Sequence, residues 1–241
     1  MPLDGKMVLI TGAARRVGRA LSLAVAEAGG DVVIHYGRSQ EDAQSLAEQI
    51  HAMGREAYLV NADLANAEEA QSLVPRAAEH GSLFALVNSA AIFQSLNWAN
   101  TTIETWQQSM MVNLGAPFLL SQAFAWQLPE DENGRIVNML DWRALRPSAD
   151  HFPYTISKAG LVALTHSLAV SLAPRITVNG LALGAVLPPS EGSTPPNILK
   201  NVPSGRWASI DEVCPALLFL LDGPAYITGE IIHVDGGRHL I

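Results

Sequence analysis

Apolar residues recur along this chain with two periods. Short, nearly continuous apolar runs at Lys6–Thr11, Asp31–Tyr36, Tyr58–Val60, Leu83–Asn88, Arg135–Met139, Thr177–Leu181 and Glu230–Val234 predict buried strands. Between them lie stretches with helical spacing. Val17, Ala20, Leu21, Ala24, Val25 and Ala28 share one helix face, which Gly29-Gly30 closes. Ser39, with Asp42 three residues on, predicts a capping box for the next helix. Further helices are expected near Thr105–Gln127, Tyr154–Leu172 and Asp211–Leu221. Strands without polar alternation, regularly followed by helices, predict an α/β fold: one Rossmann-type, doubly wound parallel sheet of about seven strands with helices on both faces. No linker or charge block divides residues 1–241, so a single dinucleotide-binding catalytic domain is expected. Residues 184–204 carry Pro188, Pro189, Pro195, Pro196 and Pro203, which predicts a loop covering the substrate.

With 49% hydrophobic and 16% charged residues, the chain can fill a sizeable core. A formal net charge of −8 argues against nucleic acid or an anionic membrane as partner and leaves a small molecule. The one cysteine, Cys214, excludes an internal disulfide, argues against a cysteine metal site and reads as a packing residue. No metal is expected. With no signal-peptide pattern and no run of 18 apolar residues, a soluble, cytoplasmic protein is expected.

The first strand runs into Thr11-Gly12-Ala13-Ala14-Arg15-Arg16-Val17-Gly18. Gly12 allows a tight turn and Gly18 a close backbone approach at the helix start. Exposed amides and the helix dipole then face an anion such as a pyrophosphate. A strand before this turn and a helix after it raise its weight over a plain strand-to-helix turn. The second strand ends His35-Tyr36-Gly37-Arg38-Ser39, over the position of an adenosine ribose. An acidic residue there would repel a 2′-phosphate, and none is present. Arg38 and Ser39, with His35 as a further candidate and Arg16 facing the same region, offer donors to one, which favours NADPH. The alternative for Arg38 is a solvated loop charge, and Tyr36 reads as packing or a cofactor-edge contact. Asp63-Leu64 follows the third strand and reads either as an adenine contact or as an ordinary helix cap. Asn88-Ser89-Ala90-Ala91 ends the fourth strand with small residues that let backbone approach a cofactor.

Tyr154 and Lys158 stand four apart on one face of a predicted helix. A neighbouring ammonium would lower the Tyr154 pKa and make the phenol a proton donor near neutral pH.

The ordered set Thr11-Gly12…Gly18, Asn88-Ser89-Ala90-Ala91, Asn113, Tyr154/Lys158 and Asp235-Gly236-Gly237 resembles the short-chain dehydrogenase/reductase family over essentially the whole chain. The resemblance implies a homotetrameric Rossmann enzyme. Tyr154 would be the proton donor, Lys158 would hold the nicotinamide ribose and tune the tyrosine, and Asn113 would support a proton-relay water. It also implies cofactor contacts at Val17, Ala90, Gly184 and Val186, and a substrate contact at Leu187. Two departures stand out. Arg16 replaces the usual glycine, and Asp141, thirteen residues before Tyr154, replaces the usual serine. Together with the His35–Ser39 strand end these resemble the pteridine reductases. Phe93 falls where that subgroup stacks an aromatic on the pterin, the alternative being core packing. The closing Gly236-Gly237-Arg238-His239-Leu240 resembles bacterial dihydromonapterin reductases. The subgroup often has serine where Ala91 stands, and many family members have proline where Leu183 stands.

The substitution at 141 has chemical content. Ketone reduction builds negative charge on oxygen, which an ionised carboxylate about 4 Å away opposes by about 4 kcal/mol at an effective dielectric of 20, on the order of a thousandfold in rate. A pterin instead needs protons at ring nitrogens while hydride reaches an adjacent carbon, and a carboxyl group can supply them. The expectation is NADPH-dependent reduction of a dihydropteridine of the pterin or folate class to its tetrahydro form. Competing readings are a carbonyl reductase of the 3-oxoacyl-carrier-protein type and a non-catalytic NADPH-binding sensor.

Overall fold

The computed structural model describes residues 1–187, 199–200 and 202–241. Seven strands form one parallel sheet: β1 (Met7–Ile10), β2 (Asp31–Tyr36), β3 (Ala57–Asn61), β4 (Leu83–Asn88), β5 (Gly134–Asp141), β6 (Ile176–Leu183) and β7 (Ile231–Val234). Their order is β3-β2-β1-β4-β5-β6-β7, so the winding reverses between β1 and β4. A crevice opens at such a reversal beyond the carboxyl ends of the strands.

The inner strands lack polar alternation because both faces are covered, whereas the edge strands β3 and β7 are partly exposed. On β1, Val8 and Ile10 face a core shared with helices α1 (Arg16–Glu27), α2 (Gln40–Ala52) and α7 (Ile210–Asp222). Met7 and Leu9 face the opposite core, under α3 (Ala67–Ala78) and α5 (Ala116–Gln127). Helix α6 (Phe152–Leu172) is long and apolar enough by composition to cross a membrane, yet here it joins β5 to β6 and buries Lys158 and Thr165. Cys214 lies on α7, where its thiol approaches Ala20 O at 3.6 Å and burial pushes its pKa up to about 11.

Three local expectations change. The stretch Thr105–Gln127 is not one regular helix. It is α4 (Ile103–Met110), a wide π-turn at Met111–Gly115, and then α5. Ser39 holds the N-cap position of α2 without a side-chain cap bond, because Asp42 instead takes the Arg15 guanidinium at 2.5 Å. Helix α3 was not anticipated; Asn66 caps it by accepting from the amides of Glu68 and Glu69, and Pro75 sits inside it. Of the expected covering loop, Pro188, Pro189, Pro195 and Pro196 lie outside the described residues.

Candidate active site

The glycine-rich turn is built around His35. Its Nδ1 accepts the Gly12 amide at 3.1 Å, its Nε2 donates to Ala62 O at 3.1 Å, and its own carbonyl accepts the Ala13 amide at 3.0 Å. Burial holds the imidazole neutral, with its pKa lowered to about 4. His35 is therefore not a phosphate donor: both ring nitrogens are spent inside the protein, fixing the turn. Gly12 has φ +62°, and a Cβ there would stand 2.9 Å from Ala90 Cα. A Cβ on Gly18 would fall 2.2 Å from Gly12 O, so Gly18 makes room for the turn's own backbone. Thr11 closes the crevice floor, its hydroxyl accepting the amides of Ser89 and Ala90 at 2.9 and 3.0 Å.

These residues fit a dinucleotide phosphate group. Helix α1 begins in the crevice with no side-chain cap and no acidic residue in its first turn, so its amino end presents partial positive charge. Arg16 opens α1 at φ 52°. Arg38 is exposed beyond β2. Ser39 is half-buried, and its hydroxyl is not used as a helix cap. Sequence reasoning passed over Arg15, whose exposed guanidinium reaches across to Asp42 beside this group; its place in the turn was the available signal. Val17 and Tyr36 pack partly against the core below.

Other expected cofactor contacts are rearranged. Leu64 turns its side chain into the core under α3, and the Asp63 carboxylate accepts the Ala65 amide at 3.0 Å. Only backbone is left to Leu64 as a contact. Asn88 is buried and donates to Asn138 Oδ1 at 2.8 Å, and Asn138 donates to Thr165. The amide nitrogen of Asn88 ties β4 to β5, and its Oδ1 is buried without a partner among the described residues. Gly184 follows β6 against Asp235, whose Cα would lie 2.6 Å from a Cβ there. Val186 is buried and Leu187 half-buried just before the undescribed stretch.

The expected catalytic group does converge. Asp141 ends β5 and Tyr154 lies in the first turn of α6. The Tyr154 hydroxyl donates to Asp141 Oδ2 at 3.1 Å, while Oδ1 accepts the Arg143 amide at 2.9 Å. Lys158 is buried one turn beyond Tyr154, and its ammonium donates to Met139 O at 2.7 Å, 5.9 Å from the tyrosine ring centroid. Burial lowers the Lys158 pKa to about 8, against the pull of Asp141. The tyrosine moves opposite to the sequence expectation. Burial first, then the charge and hydrogen bond of Asp141, push its pKa well above the usual phenol value, with Arg143 opposing. Tyr154 is thus a phenol that keeps its proton more firmly than a free tyrosine.

Asn113 sits in the π-turn, fully buried. Its amide clasps Ile92, accepting from N at 2.9 Å and donating to O at 3.1 Å, and it donates to Ser157 Oγ at 3.0 Å. Its side chain is therefore committed to holding the segment before Phe93. Phe93 itself is 53% exposed. It stacks on His151 (3.9 Å between centroids, 14°) and meets the Tyr154 ring edge-on at 4.6 Å. It is a wall of the site, not a core residue.

Sequence reasoning also missed Arg143, whose signal was its place two residues after Asp141. Its guanidinium lies 3.7 Å from Asp141 Oδ1 and 3.3 Å from Asp150 Oδ2. Partial burial disfavours the Asp150 charge, but bonds from Ser148, Arg143 and His151 outweigh it and hold that carboxyl far below the usual range. Among the described residues no cluster of His, Cys, Asp and Glu is arranged to hold a metal.

Comparison with known proteins adds to this geometry. Residues 6–197 match the family of short chain dehydrogenases. A 3-oxoacyl-[acyl-carrier-protein] reductase of Synechocystis sp. is 33% identical over 240 residues, 98% of this chain and 97% of that protein. The structure of FolM alternative dihydrofolate reductase 1 from Brucella suis, in complex with NADP, superposes with a TM-score of 0.91 at 34% identity, covering 98% of this chain and 96% of that one. A short chain dehydrogenase from Burkholderia cenocepacia, also with NADP, gives 0.91 at 34% identity over 99% of each chain.

Proposed function

The chain belongs to the short chain dehydrogenase family, and from that premise we propose that it is a pteridine reductase, converting a dihydropterin or dihydrofolate to its tetrahydro form. The cofactor is NADP(H), in keeping with the NADP-bound neighbours and with Arg38 and the lack of an acidic residue in the stretch His35–Ser39. The observation that carries the pterin reading is the Asp141 carboxylate accepting from the Tyr154 hydroxyl at 3.1 Å, at the position where a serine hydroxyl is usual.

When bound, the reduced nicotinamide supplies a hydride to the ring carbon of a pterin C=N bond. The adjacent nitrogen must gain a proton. Tyr154 holds that proton on its hydroxyl, shared with Asp141 Oδ2, and the pair would release it to the nitrogen. Arg143 balances the charge of the carboxylate. Phe93 offers an exposed aromatic face beside Tyr154 for a flat ring to rest on. Once the phenolic proton has moved, Lys158, 5.9 Å from the ring centroid, is a nearby cation until solvent restores that proton. A ketone fits this site poorly, because charge would develop on its oxygen next to a carboxylate.

A second reading has one finding in its favour: the similar curated relatives are 3-oxoacyl-carrier-protein reductases. NADPH oxidation measured against dihydrobiopterin, dihydrofolate and acetoacetyl thioesters separates the two. Pterin turnover that falls at least about tenfold in Asp141→Ser supports the proposal. Turnover confined to acetoacetyl thioesters, or pterin turnover untouched by that change, overturns it.

Assembly into a homotetramer, and a cytoplasmic location, belong to the same proposal. Helices α5 and α6 are apolar on all sides and leave Phe118, Trp126 and Val170 exposed, a surface suited to a second copy. A single cysteine fits a reducing compartment.

A further inference from the structure

We propose that Arg143 is a positioning residue whose guanidinium is the counter-ion that lets a carboxylate work beside the Tyr154 hydroxyl; this rests on the pteridine reductase reading. The side chains of Arg143 and Asp141 are only 13% and 15% exposed, so their charges meet largely out of water. Residue 143 engages one oxygen twice. Its amide donates to Asp141 Oδ1 at 2.9 Å, and its guanidinium lies 3.7 Å from the same atom. The other oxygen, Oδ2, is left to Tyr154 at 3.1 Å. The carboxylate therefore has a fixed rotation, with one lone-pair edge neutralised and the other turned to the proton donor.

The guanidinium is itself held from the far side. Asp150 Oδ2 accepts from it at 3.3 Å, and Asp150 is fixed in turn by Ser148 and by His151 Nδ1 at 3.0 Å. Trp142 and Phe93 lie against it, with ring centroids 4.8 and 5.6 Å from Cζ. A planar cation that spans two carboxylates and lies along aromatic rings is a task for arginine, since a lysine ammonium offers one point of charge. Arg143 Nε is buried without an acceptor among the described residues. That unmet N–H is a cost, and it argues that the two carboxylates set the position of this side chain. Asp141 also feels Lys158 and Arg238, but Arg143 is the one cation within ion-pair distance of it among the described residues.

The test is a double-mutant cycle on the full-length protein. Pterin turnover is measured for wild type, Arg143→Ala, Asp141→Ser and the double variant, with NADPH affinity read separately from cofactor fluorescence. With Asp141 present, Arg143→Ala should lower kcat by about a hundredfold and leave NADPH affinity within about twofold. Added guanidinium ion should recover about tenfold of that loss, and Arg143→Lys should fall between wild type and Arg143→Ala. With serine at 141, removing Arg143 should cost under about threefold, since no carboxylate needs balancing. Equal losses with and without the carboxylate, or no recovery by guanidinium, would reduce Arg143 to scaffolding and overturn the proposal, as would an unchanged kcat. Should Arg143→Ala not fold, Arg143→Lys takes its place in the cycle. If wild type reduces acetoacetyl thioesters and no pterin, the pterin reading fails, and the cycle run on the thioester still decides the role of Arg143.

Discussion

The imidazole of His35 and the amide of Gly12 are joined by a 3.1 Å hydrogen bond in which the ring nitrogen is the acceptor. The bond exists only while the ring is neutral, and burial keeps it so by lowering the pKa to about 4. In the unfolded chain the same ring titrates near 6.5. The unfolded state therefore binds more protons between those values, and the His35 contribution to stability, complete above about 6.5, is lost as pH falls toward about 4. The loss amounts to roughly 3 kcal/mol. Thermal unfolding followed between pH 7 and 4.5 should show a steeper decline in wild type than in His35→Gln, whose amide can accept from Gly12 but cannot titrate. Parallel curves would refute the assignment.

Lys158 sets a limit on the alkaline side. Its pKa is lowered to about 8, so the ammonium is present below that pH and lost above it. Without the charge, the Asp141–Tyr154 pair loses its buried cation. We expect kcat to fall above about pH 8, with a limb that disappears in Lys158→Met at a much lower plateau. A pH profile flat to 9.5 would contradict this.

Cofactor choice should rest on the arginines around the turn. Arg38→Ala should raise the KM for NADPH by about tenfold while leaving that for NADH within about twofold, because only the 2′-phosphate loses a partner. Arg15→Ala should act in the same direction and more weakly, since its guanidinium is already shared with Asp42 at 2.5 Å. Steady-state kinetics with both cofactors measure the split. Equal effects on both would place these side chains elsewhere on the nucleotide.

The inner strands were legible because they are buried on both faces, as the run Val8-Leu9-Ile10 is, and because helical stretches alternate with them. The Asp141–Tyr154 pairing was legible from spacing, since a strand end and the first turn of the next helix fall at one end of the sheet. Orientation was not. Position at the end of β2 does not say which way an imidazole turns, so His35 read as a surface donor while it faces inward. The clasp of the Asn113 side chain on Ile92 was not legible, because nothing in five residues betrays a π-turn. The tyrosine shift was misjudged because Lys158 is visible in the sequence at four residues, whereas burial and a carboxylate arriving from β5 are not. Arg143 and His151 escaped because their partners, Asp150 and Phe93, meet them only through the fold.

The wide turn at Met111–Gly115 amounts to one surplus residue lodged within a helical rod. Deleting one residue there would restore ordinary winding while the residues after it keep their phase. The Phe124 side of α5 would then stay on the sheet, while the Asn113 clasp on Ile92, which needs the wide turn, would come undone. A single in-frame codon loss in this segment is thus expected to spare the packing of α5 and to loosen the aromatic wall of the site, a separation of fold from site that deletions in an ordinary helix do not allow.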